Sequence, residues 1–399
     1  MEMTVVEKQK TIQVLNPISQ KGLDYLGEDY QVSEDAQGAE GILVRSYNMH
    51  QFPLPENLKA IARAGAGVNN IPIEECTSKG IPVFNTPGAN ANAVKELVLT
   101  TLIASSRQLF DGIEWAKTLS PNNGPIPKQV ESGKKQFVGK EIRGKTLGVI
   151  GLGAIGAKVA NDALELGMNV VGFDPFVSVD MAWELSRSVR RVYDIETLYQ
   201  DADYITLHVP LNDKTRTMLN KDAFQFMKSD VHILNFSRGE LVHNSDLKEA
   251  LEMENIGKYI TDFPNEDVLT MKNAIPIPHL GASSQESEEN CAIMATQQLK
   301  DYIETGSVKN SVNFPDVTLS PFRHMRITAF HNNVPNMLSQ LTQIVSKFGI
   351  NISEMMNRNK ENVAYSVIDF ESSVDSSIQE QIESEMMKVN GMISVRILG

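Results

Sequence analysis

Short blocks of hydrophobic residues recur from Ile12 to Ala104: "TIQVLN", "GILVRS", "LKAIARAGAGVNNI" and "IPVFNT", separated by polar stretches compatible with helix. Such blocks predict buried strands of a small parallel sheet with helices between them. From Asn90 to Lys117 the period changes: apolar residues repeat at helical spacing with no proline, which predicts one long helix. Past Gly144 the strand blocks return as "TLGVI", "NVVGFD", "YITLHVP", "VHILNFS", "YITDF" and "IPIPHL", and a second helical run spans about Gln285 to Thr305. Two long helices therefore bracket the second series of strands.

The simplest chain path inserts this second αβ domain into the first, with the chain returning afterwards to finish it. The expected boundaries are 1–104 with 283–312 for the first domain and 105–282 for the inserted one, with a ligand cleft between them. After the proline-marked linker "SVNFPDVTLSPF", residues 325–399 predict a ferredoxin-like βαββαβ unit. Leu338, Leu341, Val345 and Phe348 share one face of its first helix, and Ile378, Ile382, Met386 and Val389 one face of its second, so both helices are expected on one side of the sheet.

Composition narrows the function. With 399 residues, 41% apolar, the chain can bury two or three cores, and a formal charge of −13 argues against a nucleic-acid surface while leaving room for a local anion pocket. Cys76 and Cys291 are far apart and lack any metal-ligand spacing, so no disulfide framework and no metal are expected. "MEMTVVEKQK" lacks an apolar signal core and no apolar run approaches a bilayer span, which predicts a cytoplasmic protein.

Gly151, Gly153 and Gly156 form GxGxxG directly after "TLGVI". The first glycine permits a tight turn, the second lets backbone approach a pyrophosphate, and the third allows the helix to pack closely on the strand. The following strand ends at Asp174, placed to accept hydrogen bonds from the adenosine ribose and to repel the extra phosphate of NADP. Arg238 follows "VHILNFS", Glu266 comes 28 positions later, and His279 another 13 on, each after an apolar run. Singly, each fits an ordinary surface or structural role; at successive strand ends they suit hydride transfer to a keto acid. Arg238 would bind a carboxylate and polarise the carbonyl, while Glu266 would stabilise a protonated His279 acting as acid.

The order "GLGAIG", Asp174, "LHVPL", "NFSRG", "DFPNE", "PHLGAS" resembles the D-2-hydroxyacid dehydrogenase family, in its branch with a C-terminal ACT domain, over nearly the whole chain. The resemblance implies an α/β fold in which a Rossmann-like NAD-binding domain is inserted in a flavodoxin-like substrate domain. It implies Arg238, Glu266 and His279 as catalytic trio and Asp262 at the nicotinamide carboxamide. The cofactor NAD would also be lined by Ala154, Ile155, His208, Val209, Pro210, Ser237 and Gly281. For the substrate it implies 3-phospho-D-glycerate, oxidised to 3-phosphohydroxypyruvate at the entry to L-serine synthesis. Arg45 and Ser46 would bind the phosphate, and Ala66 and Gly67 of "RAGAGVNNI" the carboxylate. "VFNTPGANANAVKE" is similar to the family segment that follows, with Asn85 to Pro87 and Glu96 matching.

In the C-terminal unit "FHNNVPNMLSQLTQIVSKFGINI" is similar to the ACT signature. The resemblance implies edge-to-edge pairing, a homodimer or homotetramer, and L-serine as effector at His331, Asn333 and Asn351. Asn69 stands where the family has aspartate, Ala154 and Ala93 where polar residues are frequent, and Asn336 where a glycine follows the proline. The step from Glu266 to His279 is also short for the family. Two other readings stay open: a dehydrogenase of another 2-hydroxy acid, and a non-catalytic NAD-sensing protein on the same fold.

Overall fold

The computed structural model describes residues 9–36 and 38–399; most of the N-terminal stretch read for a signal core lies outside them. The chain divides into two compact units, residues up to 90 with 288–399, and 91–287.

The first unit opens with a parallel sheet of β1 (Lys10–Val14), β2 (Tyr30–Ser33), β3 (Gly41–Val44), β4 (Ala60–Arg63) and β5 (Val83–Phe84) in the order β2-β1-β3-β4-β5. β3 is buried along its whole length, the signature of a strand covered on both faces. β2 was not among the expected strands; only Tyr30 and Ser33 of it escape exposure, so its hydrophobic signal is weak. The helix Gln285–Thr305 packs Leu299, Tyr302 and Ile303 against Ile12, Leu43 and Phe84 of this unit.

The second unit holds a seven-stranded sheet of β6 (Thr146–Ile150), β7 (Asn169–Phe173), β8 (Arg190–Arg191), β9 (Tyr204–Leu207), β10 (His232–Asn235), β11 (Lys258–Thr261) and β12 (Ala274–Pro276). Every pairing is parallel and the order is β12-β11-β10-β9-β6-β7-β8, so the order reverses beside β6. That reversal is a topological switch point, where ligands bind at the carboxyl ends of the strands.

The expected boundary at 104/105 falls at 90/91. Val94, Val98 and Leu102 of the helix Ala91–Ser106 are buried with Val159, Ala160 and Ala163 of the helix Ala154–Glu165, which ties the first helix to the core of the second unit. The single helix expected over Asn90 to Lys117 is two, Ala91–Ser106 and Leu109–Lys117, broken at Gln108, where φ is 50°. The Ser106 carbonyl accepts from the Lys140 N–H at 2.9 Å, so it is committed outside the helical ladder.

The C-terminal part of the first unit is an antiparallel sheet of β13 (Met325–Asn332), β14 (Ile352–Lys360), β15 (Val363–Phe370) and β16 (Met392–Leu398), ordered β14-β15-β13-β16. The helices Met337–Lys347 and Ser376–Met387 fill one cluster with Ile327, Ala329 and Ile368, completing the βαββαβ unit. Leu338 is exposed, contrary to its expected place, and Met337 and Ile344 are buried instead; the helix starts after Asn336, whose φ is 68°. That left-handed backbone is where glycine is favoured and asparagine tolerated. On the sheet's other side Phe330 stacks between Phe314 (3.9 Å) and Tyr365 (4.3 Å), joining the core that holds Tyr302. Among the described residues no helix is long and apolar enough to cross a membrane.

Candidate functional site

The glycine turn has the geometry its spacing predicts. Gly151 has φ 90°, and a Cβ there would run into the His208 carbonyl; a Cβ on Gly156 would run into the carbonyl of Gly151. Gly153 faces open space and caps the helix Ala154–Glu165 without a side-chain acceptor, leaving first-turn N–H donors for an anion. Ala154 and Ile155 are half-buried at that helix start. Asp174 accepts from the Leu152 and Phe176 N–H groups, both at 2.8 Å, which fixes its carboxylate beside the glycine turn.

At the end of β9, Thr206 Oγ1 lies 2.9 Å from His208 Nε2, whereas His208 Nδ1 is buried with no partner among the described residues. Burial pushes this imidazole down to about 3, so it is neutral at physiological pH. Val209 and Pro210 follow it, increasingly open to solvent.

Arg238 and Asp262, expected from the sequence to take part in the chemistry, follow β10 and β11. Buried Asn235, not anticipated from sequence, braces the turn after β10: its Nδ2 donates to the Arg238 carbonyl at 2.9 Å and to Tyr259 Oη at 3.1 Å. The Ser237 hydroxyl donates to the Leu207 carbonyl at 2.6 Å. Arg238 itself is exposed and lies 5.8 Å from the centre of the Phe263 ring. Asp262, at the end of β11, is 1% exposed; its Oδ2 accepts from the Gly281 N–H at 3.0 Å, and its Oδ1 has no partner among the described residues. Burial holds its carboxyl above the usual carboxylate range, opposed by the Gly281 N–H and by nearby His279 and Arg238. A buried unpaired acceptor is costly, and an amide donor on a bound ligand would satisfy it. The open space at Gly153 and the unpaired Oδ1 of Asp262 thus fit a dinucleotide with a carboxamide at its far end.

His279 is exposed, and its ring lies 4.6 Å from that of Phe263. The expected carboxylate partner is absent: among the described residues no hydrogen bond or ion pair joins Glu266 to His279. Asn265 Oδ1 accepts from the Val268 N–H at 3.0 Å, starting the 3₁₀ turn Val268–Thr270 and leaving Glu266 in solvent. Phe263 was not singled out from sequence; its position after a strand-end acid was the available signal.

Arg45, Ser46, Ala66 and Gly67 belong to the other unit. Arg45 pairs with Glu288 at 2.6 Å, both about half-exposed, and Ser46 is exposed. The N–H groups of Ala66 and Gly67 have no acceptor among the described residues, while their carbonyls accept from Asn85 and Arg63. Of the expected effector residues, His331 is buried with Nδ1 at 2.8 Å from the Asn332 carbonyl and Nε2 at 2.8 Å from Ser366 Oγ. Asn333 and Asn351 are exposed, Asn351 contacting Glu371 at 3.2 Å. His331 and Asn333 lie at the end of β13, and Asn351 precedes the start of β14, whose first residue is level with Met325. A sheet rising ~3.3 Å per residue therefore separates them by about 20 Å within one chain.

Residues 99–281 match the family described as D-isomer specific 2-hydroxyacid dehydrogenase, NAD binding domain. A D-3-phosphoglycerate dehydrogenase of Escherichia coli K12 is 30% identical over 385 residues, covering 93% of this chain and 90% of that protein. One from Methanocaldococcus jannaschii is 38% identical over 296 residues, 72% of this chain; the chain spans 54% of that relative's length. Among solved structures, NAD+-bound 3-phosphoglycerate dehydrogenase of Entamoeba histolytica superposes with a TM-score of 0.60 at 26% identity, covering 76% of this chain and 99% of that one. With the glycine turn, Asp174 and the strand-end residues of β10 and β11 in place, the chain belongs to the D-isomer specific 2-hydroxyacid dehydrogenase family.

Proposed function

We propose that the chain catalyses NAD-dependent oxidation of 3-phospho-D-glycerate to 3-phosphohydroxypyruvate, the first step of L-serine biosynthesis, in the cytoplasm. The observation that carries this reading is the grouping of Arg238, Asp262 and His279 about Phe263 at adjacent strand ends of a dinucleotide sheet. NAD, when bound, would supply the acceptor for the hydride from C2 of the substrate. The chain's own residues do the rest: His279 takes the proton of the C2 hydroxyl, Arg238 binds the C1 carboxylate and draws charge from the C2 oxygen, and Asp262 Oδ1 accepts from the carboxamide to orient the ring. Asp174 accepts from the ribose hydroxyls. Glu266, the third residue of the expected trio, is exposed and makes no bond to His279 among the described residues. Arg45 and Ser46 take the phosphate, and the free N–H groups of Ala66 and Gly67 the carboxylate end.

The C-terminal βαββαβ unit is, in the same reading, an ACT regulatory domain. Among the described residues β14 pairs on one side only, with β15. Antiparallel pairing of two β14 edges in a homodimer brings Asn351 of one copy to the end of the partner's sheet at which Asn333 lies. L-serine held there links occupancy to the dimer, or to a tetramer built from it.

One observation favours a second reading, a non-catalytic NAD-sensing protein: Glu266 does not reach His279. Consumption of NADH with 3-phosphohydroxypyruvate, run beside hydroxypyruvate and 2-oxoglutarate, with and without L-serine, separates the two. Turnover selective for the phosphorylated acid is expected, slowed by serine and abolished in His279→Ala with NADH binding retained. NADH binding without turnover on any of the three would establish the second reading.

A further inference from the structure

Three consecutive backbone N–H groups, of Arg45, Ser46 and Tyr47, converge on a single acceptor: Asn16 Oδ1, at 3.1, 3.0 and 2.8 Å. Asn16 follows β1, and the turn it collects follows β3, the neighbouring parallel strand, so the two carboxyl ends lie side by side. The carbonyls of the same turn are taken from the other direction. Arg63 Nε donates to the Arg45 carbonyl at 2.9 Å, and Asn70 Nδ2 donates to the Tyr47 carbonyl at 2.7 Å.

Successive N–H groups converging on one point form a concave donor set of the kind that binds anions. Here Asn16 fills it. Two consequences follow from that geometry. The turn is held on both its donor and its acceptor sides, so the Arg45 and Ser46 side chains project from a fixed backbone. The backbone donors of the turn are also committed, so an anion meeting it is gripped by those side chains and not by the N–H groups. The Arg45–Glu288 pair is half-exposed on both sides and therefore a weak competitor for the guanidinium.

We propose that Asn16 is a positioning residue for anion recognition: it occupies the N–H cradle of residues 45–47 and thereby sets Arg45 and Ser46 for the phosphate of the substrate. The phosphate rests on the function proposed above; the occupied cradle does not. Hydrogen exchange of the 45–47 amides and steady-state kinetics test the two parts separately, in the full-length wild type, Asn16→Ala and Asn16→Asp. In Asn16→Ala the amides are expected to exchange at least about tenfold faster, and Asn16→Asp, which keeps an oxygen acceptor, is expected to restore protection. The KM for 3-phosphohydroxypyruvate is expected to rise about tenfold in Asn16→Ala, with kcat and the KM for hydroxypyruvate changing less than about twofold. Unchanged exchange overturns the positioning role. A KM for the phosphorylated acid that stays level or falls overturns side-chain recognition, since the opened cradle would then bind the phosphate itself. If the wild type turns over no phosphorylated acid, the functional reading fails and the exchange result alone decides the role of Asn16.

Discussion

The Phe263 ring lies 4.6 Å from the His279 imidazole, centre to centre and tilted by 49°, with the Arg238 guanidinium 5.8 Å from its centre. One aromatic side chain thus touches both groups assigned to proton transfer and carboxylate binding. Ring and cation–π contacts of this kind contribute about 1 kcal/mol each and restrict orientation. Phe263→Leu is expected to lower kcat about five- to tenfold and to leave NADH affinity within twofold, with Phe263→Tyr close to wild type. Equal kcat in all three proteins would remove Phe263 from the catalytic arrangement.

Asp262 uses one carboxylate oxygen on the Gly281 N–H and keeps the other unpaired. Asp262→Ala removes the acceptor for a carboxamide and leaves the Gly281 donor without its partner, costing ~1–3 kcal/mol of stability. A loss of NADH affinity of at least about tenfold is expected in a fluorescence titration. Wild-type affinity in a folded Asp262→Ala protein would show that the cofactor does not reach this acid.

Acid should destabilise the protein before its carboxylates titrate. Burial, with Lys258 and Lys140 nearby, pushes His232 down to about 4 in the folded chain, against about 6.5 unfolded. Above pH 6.5 both states are neutral and the stability is full. As pH falls from about 6.5 toward 4 the unfolded chain takes up a proton the folded chain refuses, and stability drops by on the order of 3 kcal/mol. Thermal melting from pH 7.5 to 4.5 should show a shallower decline in His232→Gln. Parallel melting curves for the two proteins would assign the acid sensitivity elsewhere.

The C-terminal sheet is anchored by a buried ion pair. Arg326, 2% exposed, makes two 2.6 Å contacts to Asp369 and donates to the Thr305 and Ser320 carbonyls at 2.8 and 2.9 Å. Arg396 and Tyr365 donate to the Ile303 and Gly306 carbonyls, so the carboxyl end of the helix Gln285–Thr305 is capped from this sheet. Asp369→Ala leaves a buried guanidinium without its counter-ion and is expected to cost about 3–5 kcal/mol. Chemical denaturation measures this, and a loss below about 1 kcal/mol would mean the guanidinium finds solvent.

The strands of all three sheets except β2 and β8, the glycine turn, Asp174 and the helix Gln285–Thr305 were legible in the sequence. Each rests on local rules: buried strands need continuous apolar runs, and GxGxxG needs glycine where a Cβ would strike the His208 or Gly151 carbonyl. Tertiary structure alone decided the break at Gln108, where Lys140 claims the Ser106 carbonyl, and the transfer of the helix Ala91–Ser106 to the nucleotide unit. It also decided that Phe263, not Glu266, meets His279, and that Asn16 fills the N–H cradle of residues 45–47. Those outcomes depend on which distant polar group arrives at which open donor or acceptor. Residue type along the chain states only that such a group must be satisfied, and the packed fold determines by whom.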